Sequence, residues 1–311
     1  MELTLAAAAL VAPVFLGVGA GLARLFADPD AAVDHLNRYA LYFAFPALVF
    51  HGLVAADYTL PDEPGFWLLV PAALAVTALA GRLGAPRQAG TLAQMVAFGN
   101  VAYLGLPVVE RVLGEASLPA ASLAVAVHVT LALSVGPVLL LRWSDAGGSV
   151  RATVSRAARQ PLLWAPIVGL AARLLPRDVR AVLDALADPI GRSAAPVALF
   201  LLGLYLHHHR SRMRHLGGAD ALHVAMKLLV LPAVTFAGAW ALHRVGWLHV
   251  PEAQILCLLS AMPAAITTFA IAQQLGVGAA QTSRAIVATT LAAAATVPLT
   301  AWLVLTWLPT W

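Results

Sequence analysis

The sequence predicts an all-α integral membrane protein with ten transmembrane helices in two inverted five-helix repeats. Three observations carry that expectation. Hydrophobic residues make up 61% and charged residues 11% of the 311 positions, where a soluble domain carries about 25% charge. Mean hydropathy is +0.83, and at about 20 apolar residues per span the chain has room for about ten spans. The third is an internal repeat: Pro46-Ala47-Leu48-Val49-Phe50 is answered 150 residues later by Pro196-Val197-Ala198-Leu199-Phe200. Leu68 to Ala72 resembles Leu229 to Ala233, Ala93-Gln94 resembles Ala253-Gln254, and Leu113-Gly114 resembles Leu275-Gly276. Each unit holds an odd number of spans, so the second is inverted relative to the first.

In order, the spans fall near 3–23, 36–56, 65–83, 91–113, 119–141, 161–176, 180–206, 219–242, 253–275 and 280–308. Turn and charge signals separate them: Asp28-Pro29-Asp30, Pro61-Asp62-Glu63-Pro64, Arg82 to Arg87 and Gly147-Gly148-Ser149. The opening Met1-Glu2-Leu3-Thr4 lacks a basic n-region, so the first apolar stretch is expected as a span and not as a removed signal peptide. Residues 1–142 form the first repeat, 143–160 a cytoplasmic linker and 161–311 the second repeat.

Arginine placement sets the orientation. With odd-to-even connections in the cytoplasm, twelve arginines from Arg24 to Arg284 lie inside. Arg111, Arg173, Arg177, Arg180 and Arg244 lie outside. That bias places a multi-pass protein in the cell membrane with both termini outside. The isoelectric point near 9.7 thus reflects topology and not a nucleic-acid partner. The single cysteine, Cys257, excludes a disulfide framework and a Cys-based zinc site. No cofactor and no metal are expected.

The fourth span is interrupted by Gly99-Asn100, Gly105 and Pro107. Irregular backbone at membrane depth survives only inside protein or beside a water-filled cavity. One half-helix is expected to end near Asn100 and another to start near Pro107. In the ninth span, Ser260-Ala261-Met262-Pro263-Ala264-Ala265-Ile266-Thr267-Thr268 predicts a second break, with a half-helix starting at Pro263. Two half-helices crossing in opposite directions aim two positive amino ends at one point, a site for a carboxylate. Asn100, Tyr103, Gly105, Pro107, Pro263, Thr267 and Thr268 are the candidate substrate-binding residues.

Gly99-Asn100 with Leu104-Gly105-Leu106-Pro107, Pro46-Ala47-Leu48 and Ala261-Met262-Pro263 together resemble the auxin efflux carrier family. That family includes bacterial organic-acid carriers and the plant PIN-FORMED auxin carriers. The resemblance covers nearly the whole chain. It implies broken crossover helices 4 and 9 and a fold similar to that of bile-acid symporters and sodium–proton antiporters. It also implies a scaffold domain from helices 1, 2, 6 and 7 and an elevator-like transport domain from helices 3–5 and 8–10. A homodimer through the scaffold domain is compatible with this arrangement. Family members often carry a second amide or a basic residue around span nine, where this chain has Ala264-Ala265 and Gln273-Gln274.

The bland alternatives are concrete. Asn100 could bond a neighbouring helix, at about 0.6 kcal/mol in one membrane system. His51 and His128 read as satisfied polar residues, and Lys227, about eight residues into its span, as a side chain that snorkels or acts. The run His207–His209 with Arg210, Arg212 and Arg214 reads as a cytoplasmic basic loop and not a metal site. No Asp or Glu lies at the centre of an expected span, so the usual carboxylate relay is absent. The reading is therefore a secondary transporter of a small organic anion, a mono- or dicarboxylate or auxin-like acid. The alternatives are an ion-coupled symporter or antiporter, a channel, and a membrane enzyme. The last lacks an intramembrane Asp pair or a His-Glu metal motif.

Overall fold

A computed structural model describes Val14, residues 17–54, 61–144, Arg151, Ser155, Arg159, and residues 161–208 and 217–308. The expected first span and the 143–160 linker fall mostly outside the described residues, as does His209 with its following arginines. The described residues are mostly helical, with one isolated antiparallel bridge between Gly99 and Ala264. Among the described residues, four stretches are long and apolar enough to cross a membrane: Pro64–Gly84, Glu115–Trp143, Gly218–Arg244 and Ala279–Thr306. The shortest, at 21 residues, measures about 31 Å at 1.5 Å per residue, against a hydrocarbon core of about 30 Å.

The chain groups into two compact units. The first comprises Met1–Tyr58, Ala102–Leu123 and Gln160–Arg214. Its helices are α1 (Pro29–Tyr39), α2 (Phe45–Val54), α5 (Leu106–Leu113), α8 (Pro161–Ala172), α9 (Arg177–Arg192) and α10 (Ala194–His208). Asp28 caps α1 by accepting from the Ala31 N–H at 3.0 Å, which satisfies one of the orphan donors at a helix start. α8 and α9 pack on α2. At the α9 contact, a Cβ on Gly191 would stand 2.8 Å from the Leu48 backbone, so the approach requires glycine.

The second unit comprises Thr59–Val101, Ala124–Arg159 and His215–Trp311. It holds α3 (Pro64–Gly84), α4 (Ala89–Ala97), most of α6 (Leu118–Ser134), α7 (Gly136–Trp143) and α11 (Gly218–Ala225). It also holds α12 (Leu231–Arg244), α13 (Val250–Ser260), α14 (Thr267–Leu275) and α15 (Ala279–Thr306). α3 packs on α4 and α12, α4 on α7, α12 on α13, and α14 on α15.

Among the described residues, three wide, π-helical turns interrupt the helices at Ala40–Ala44, Val101–Gly105 and Met226–Val230. Each ends two residues before a proline: Pro46, Pro107 and Pro232. A proline inside a helix has no N–H to give and its ring collides with the carbonyl four residues back. One extra residue in the preceding turn relieves both faults. Pro107 stands in the first turn of α5, as expected, but a wide turn from Val101 already carries the winding into it.

The expected seventh span, 180–206, also divides. Ser193 separates a charged amphipathic α9 from an apolar α10. Asp184 and Asp188 project from α9 toward α2, so carboxylates do occur within that expected span. His51 stands between them, with Nδ1 2.6 Å from Asp184 and Nε2 3.5 Å from Asp188, and Arg192 donates to Asp188 at 2.6 Å.

Candidate functional site

The second unit contains a crossing of two unwound strands of backbone. α4 stops at Ala97, and Phe98-Gly99-Asn100 is not helical. α13 stops at Ser260, and winding resumes only at Thr267. The two gaps meet antiparallel: the Asn100 N–H donates to the Pro263 carbonyl at 2.7 Å, and the Ala265 N–H to the Phe98 carbonyl at 2.9 Å. These bonds satisfy backbone groups that the breaks expose, which a buried site requires. Pro263 therefore lies in the gap as an acceptor, and the half-helix expected to start there starts at Thr267.

Side chains close the remaining groups. Thr289 of α15 accepts from the Ala264 N–H at 3.3 Å and donates to the Ala285 carbonyl at 2.8 Å. Ser260 caps its own helix through the Cys257 carbonyl at 2.7 Å. The carbonyl end of α4 receives the Lys227 amine: Lys227, fully buried on the Met226–Val230 turn, donates from Nζ to the Val96 carbonyl at 3.2 Å. His128 of α6 lies on the same point, its Nε2 accepting from the Gly99 N–H at 3.4 Å. A positive charge at a helix carboxyl end is stabilised by the partial charge of the unpaired carbonyls. A Cβ on Gly99 would stand 2.8 Å from Lys227 Nζ and 3.5 Å from His128 Nε2, so glycine leaves the space both side chains occupy.

Of the residues named from sequence, Asn100 and Pro263 meet at the crossing, and Asn100 is 3% exposed. Thr267 and Thr268 begin α14 and are buried, but the Thr268 hydroxyl donates to the Ala265 carbonyl at 2.6 Å. Gly105 and Pro107 lie on the turn and first residues of α5. Tyr103 packs within the first unit: its ring stacks on Phe45 at 4.3 Å between centroids, and its hydroxyl donates to Asn37 at 2.9 Å. Sequence reasoning left Lys227 open between snorkelling and acting, read His128 as a satisfied polar residue and did not single out Thr289; the structure brings all three to the crossing. The signal for Lys227 was its position as the chain's single lysine inside an apolar span.

Among the described residues, the group that could hold a metal is Glu63, His249 and Glu252, whose ligand atoms lie within 4.8 Å of one another. Glu63 and His249 are the N-caps of α3 and α13, and two partly positive helix ends repel a cation.

A family model described as "Membrane transport protein" matches residues 5–301. A "Putative malonate transporter" of Rhizobium meliloti (strain 1021) is 29% identical, covering 93% of this chain and 92% of its own. An "Uncharacterized transporter YfdV" of Escherichia coli (strain K12) is 23% identical over 86% of this chain and 87% of its own. The match across nearly the whole length, joined to the Gly-Asn and Leu-Gly-Leu-Pro motifs, means that the chain belongs to the membrane transport protein family of auxin efflux carriers and is a transporter, not an enzyme.

Proposed function

We propose that this protein is a secondary transporter of a small organic anion, with the carboxylate bound at the crossing of the two broken helices. The observation that carries the reading is the Gly99–Ala264 crossing with the buried Lys227 ammonium beside it. An ammonium has three donors. Among the described residues, the Val96 carbonyl is the acceptor Nζ reaches, and no carboxylate pairs with it. A buried charge without a counter-ion is costly, and an incoming carboxylate supplies one. The amino end that follows Ile266 adds favourable partial charge. A relative named for malonate points toward dicarboxylates.

The proposal extends to the whole architecture: ten spans in two inverted repeats, both termini outside, and elevator-type alternating access in the plasma membrane. The first unit collects the described parts of helices 1, 2, 6 and 7, which supports assigning them to the scaffold, with residues 102–123 added. The second unit would be the moving domain.

The test is a thermal-shift screen of mono- and dicarboxylates on purified protein, with and without sodium, followed by competition between malonate and malonamide. The charged acid is expected to bind roughly a hundredfold tighter than its neutral amide, about 2.7 kcal/mol. Equal competition by malonamide would remove the anion site.

A further inference from the structure

The crossing holds two basic groups and not one. Lys227 Nζ and His128 Nε2 both stand within 3.5 Å of the point where a Gly99 Cβ would lie. Lys227 is 0% and His128 3% exposed. Because Nε2 accepts from the Gly99 N–H, the neutral ring carries its proton on Nδ1, and Nε2 is the atom that receives another. A second proton there turns an acceptor into a donor facing the crossing and displaces the long Gly99 contact.

Other titratable groups lie on the elements packed against the pair. Asp220 pairs with Arg284 at 3.3 Å; His223, one turn before Lys227, bonds the Ala219 carbonyl through Nδ1, while its buried Nε2 meets no hydrogen-bond partner among the described residues. Arg82 stacks over Trp143, His243 contacts the Leu248 carbonyl, and Arg244 lies over Trp240. Glu252 stands in the first turn of α13, and Cys257 is buried on that helix. Among the described residues no acid faces either group. Two positive charges this close in a dry site oppose each other and are held together only when an anion joins them. A cavity of about 10 Å³ opens against His128 between Thr235 and Ser260, room for a single water that could pass a proton to the ring.

From this geometry we infer that His128 and Lys227 form a proton-linked anion site, in which each carboxylate that binds is accompanied by one proton from solvent. The proton adds to Nε2 of His128, and the bound unit is a carboxylate held between an imidazolium and an ammonium. The inference rests on the anion reading above and adds the coupling ion. Substrate and proton then travel together, without an intramembrane Asp or Glu.

Malonate is the probe, and the measurement is isothermal titration calorimetry of the purified protein near pH 7.5 in two buffers of different ionisation enthalpy. The expected result is uptake of about one proton per malonate, falling toward zero in His128→Gln with weaker but measurable binding. Malonate binding with no buffer dependence in the wild-type protein overturns the inference and leaves the anion site standing. Failure of every carboxylate to bind overturns both. Because the decisive comparison is made on the wild-type chain, a variant that does not fold cannot rescue the idea. His128→Asn serves as the second substitution, and proton uptake that persists in both folded variants also overturns the assignment to His128.

Discussion

Gly99 meets a requirement of space and not of backbone angle. Among the described residues, the glycines with positive φ are Gly114, Gly246, Gly276 and Gly278, whereas at Gly99 the crowding atoms are Lys227 Nζ, Val101 Cγ1 and His128 Nε2. The nearest is the end of a flexible side chain, so Gly99→Ala should displace the ammonium from Val96 without breaking the fold. The expected outcome is a loss of stability within about 1 kcal/mol and a fall in malonate affinity of at least about tenfold, or 1.4 kcal/mol. Calorimetry beside a thermal melt separates the two effects, and an unchanged affinity would detach Lys227 from the site. Local pattern exposed Gly99-Asn100 as a break, because glycine and a bare amide stand out in an apolar run. It could not show that Lys227 reaches Val96 across 131 residues, since that contact exists only once the turn at Met226–Val230 is packed on α4.

The positions of the four long apolar helices were readable because apolar runs end at prolines, acids and glycines. Their internal breaks were less so: proline marks a fault, but the fault is relieved upstream as a wide turn, while the true gaps lie where two strands of backbone pair through space. Caps carry a prediction of their own. Glu63 at the head of α3 and His249 at the head of α13 form an ion pair within the second unit. The hydrogen bond from Glu63 and its charge raise the His249 pKa above its ordinary 6.5. A raised pKa means the folded state holds the proton more tightly, so the stabilisation is full below pH 6.5 and is lost as pH rises through the folded value. His249→Gln should therefore lower the melting temperature at pH 5.5 and change little at pH 9. A difference that grows with pH would reverse the assignment.

At the scale of the molecule, the arginine bias predicts direction. Twelve arginines lie on one side of the expected topology and five on the other, so a reporter active only in the cytoplasm should be silent when fused after Trp311. Activity there would invert the topology. The family and its membrane setting were legible from motif and composition, because both are properties of local chemistry. The grouping of residues 102–123 with the first unit was not, since it cuts through one broken helix and through α6.

The solitary lysine has a practical consequence. In a chain with one lysine among 311 residues, an amine-selective reagent finds, apart from a terminal amine, a single target, and that target is the crossing itself. Acylation rate then becomes a clock for how often the crossing opens to water. Reagents confined to one face of a sealed vesicle would time each direction separately, on the unaltered protein.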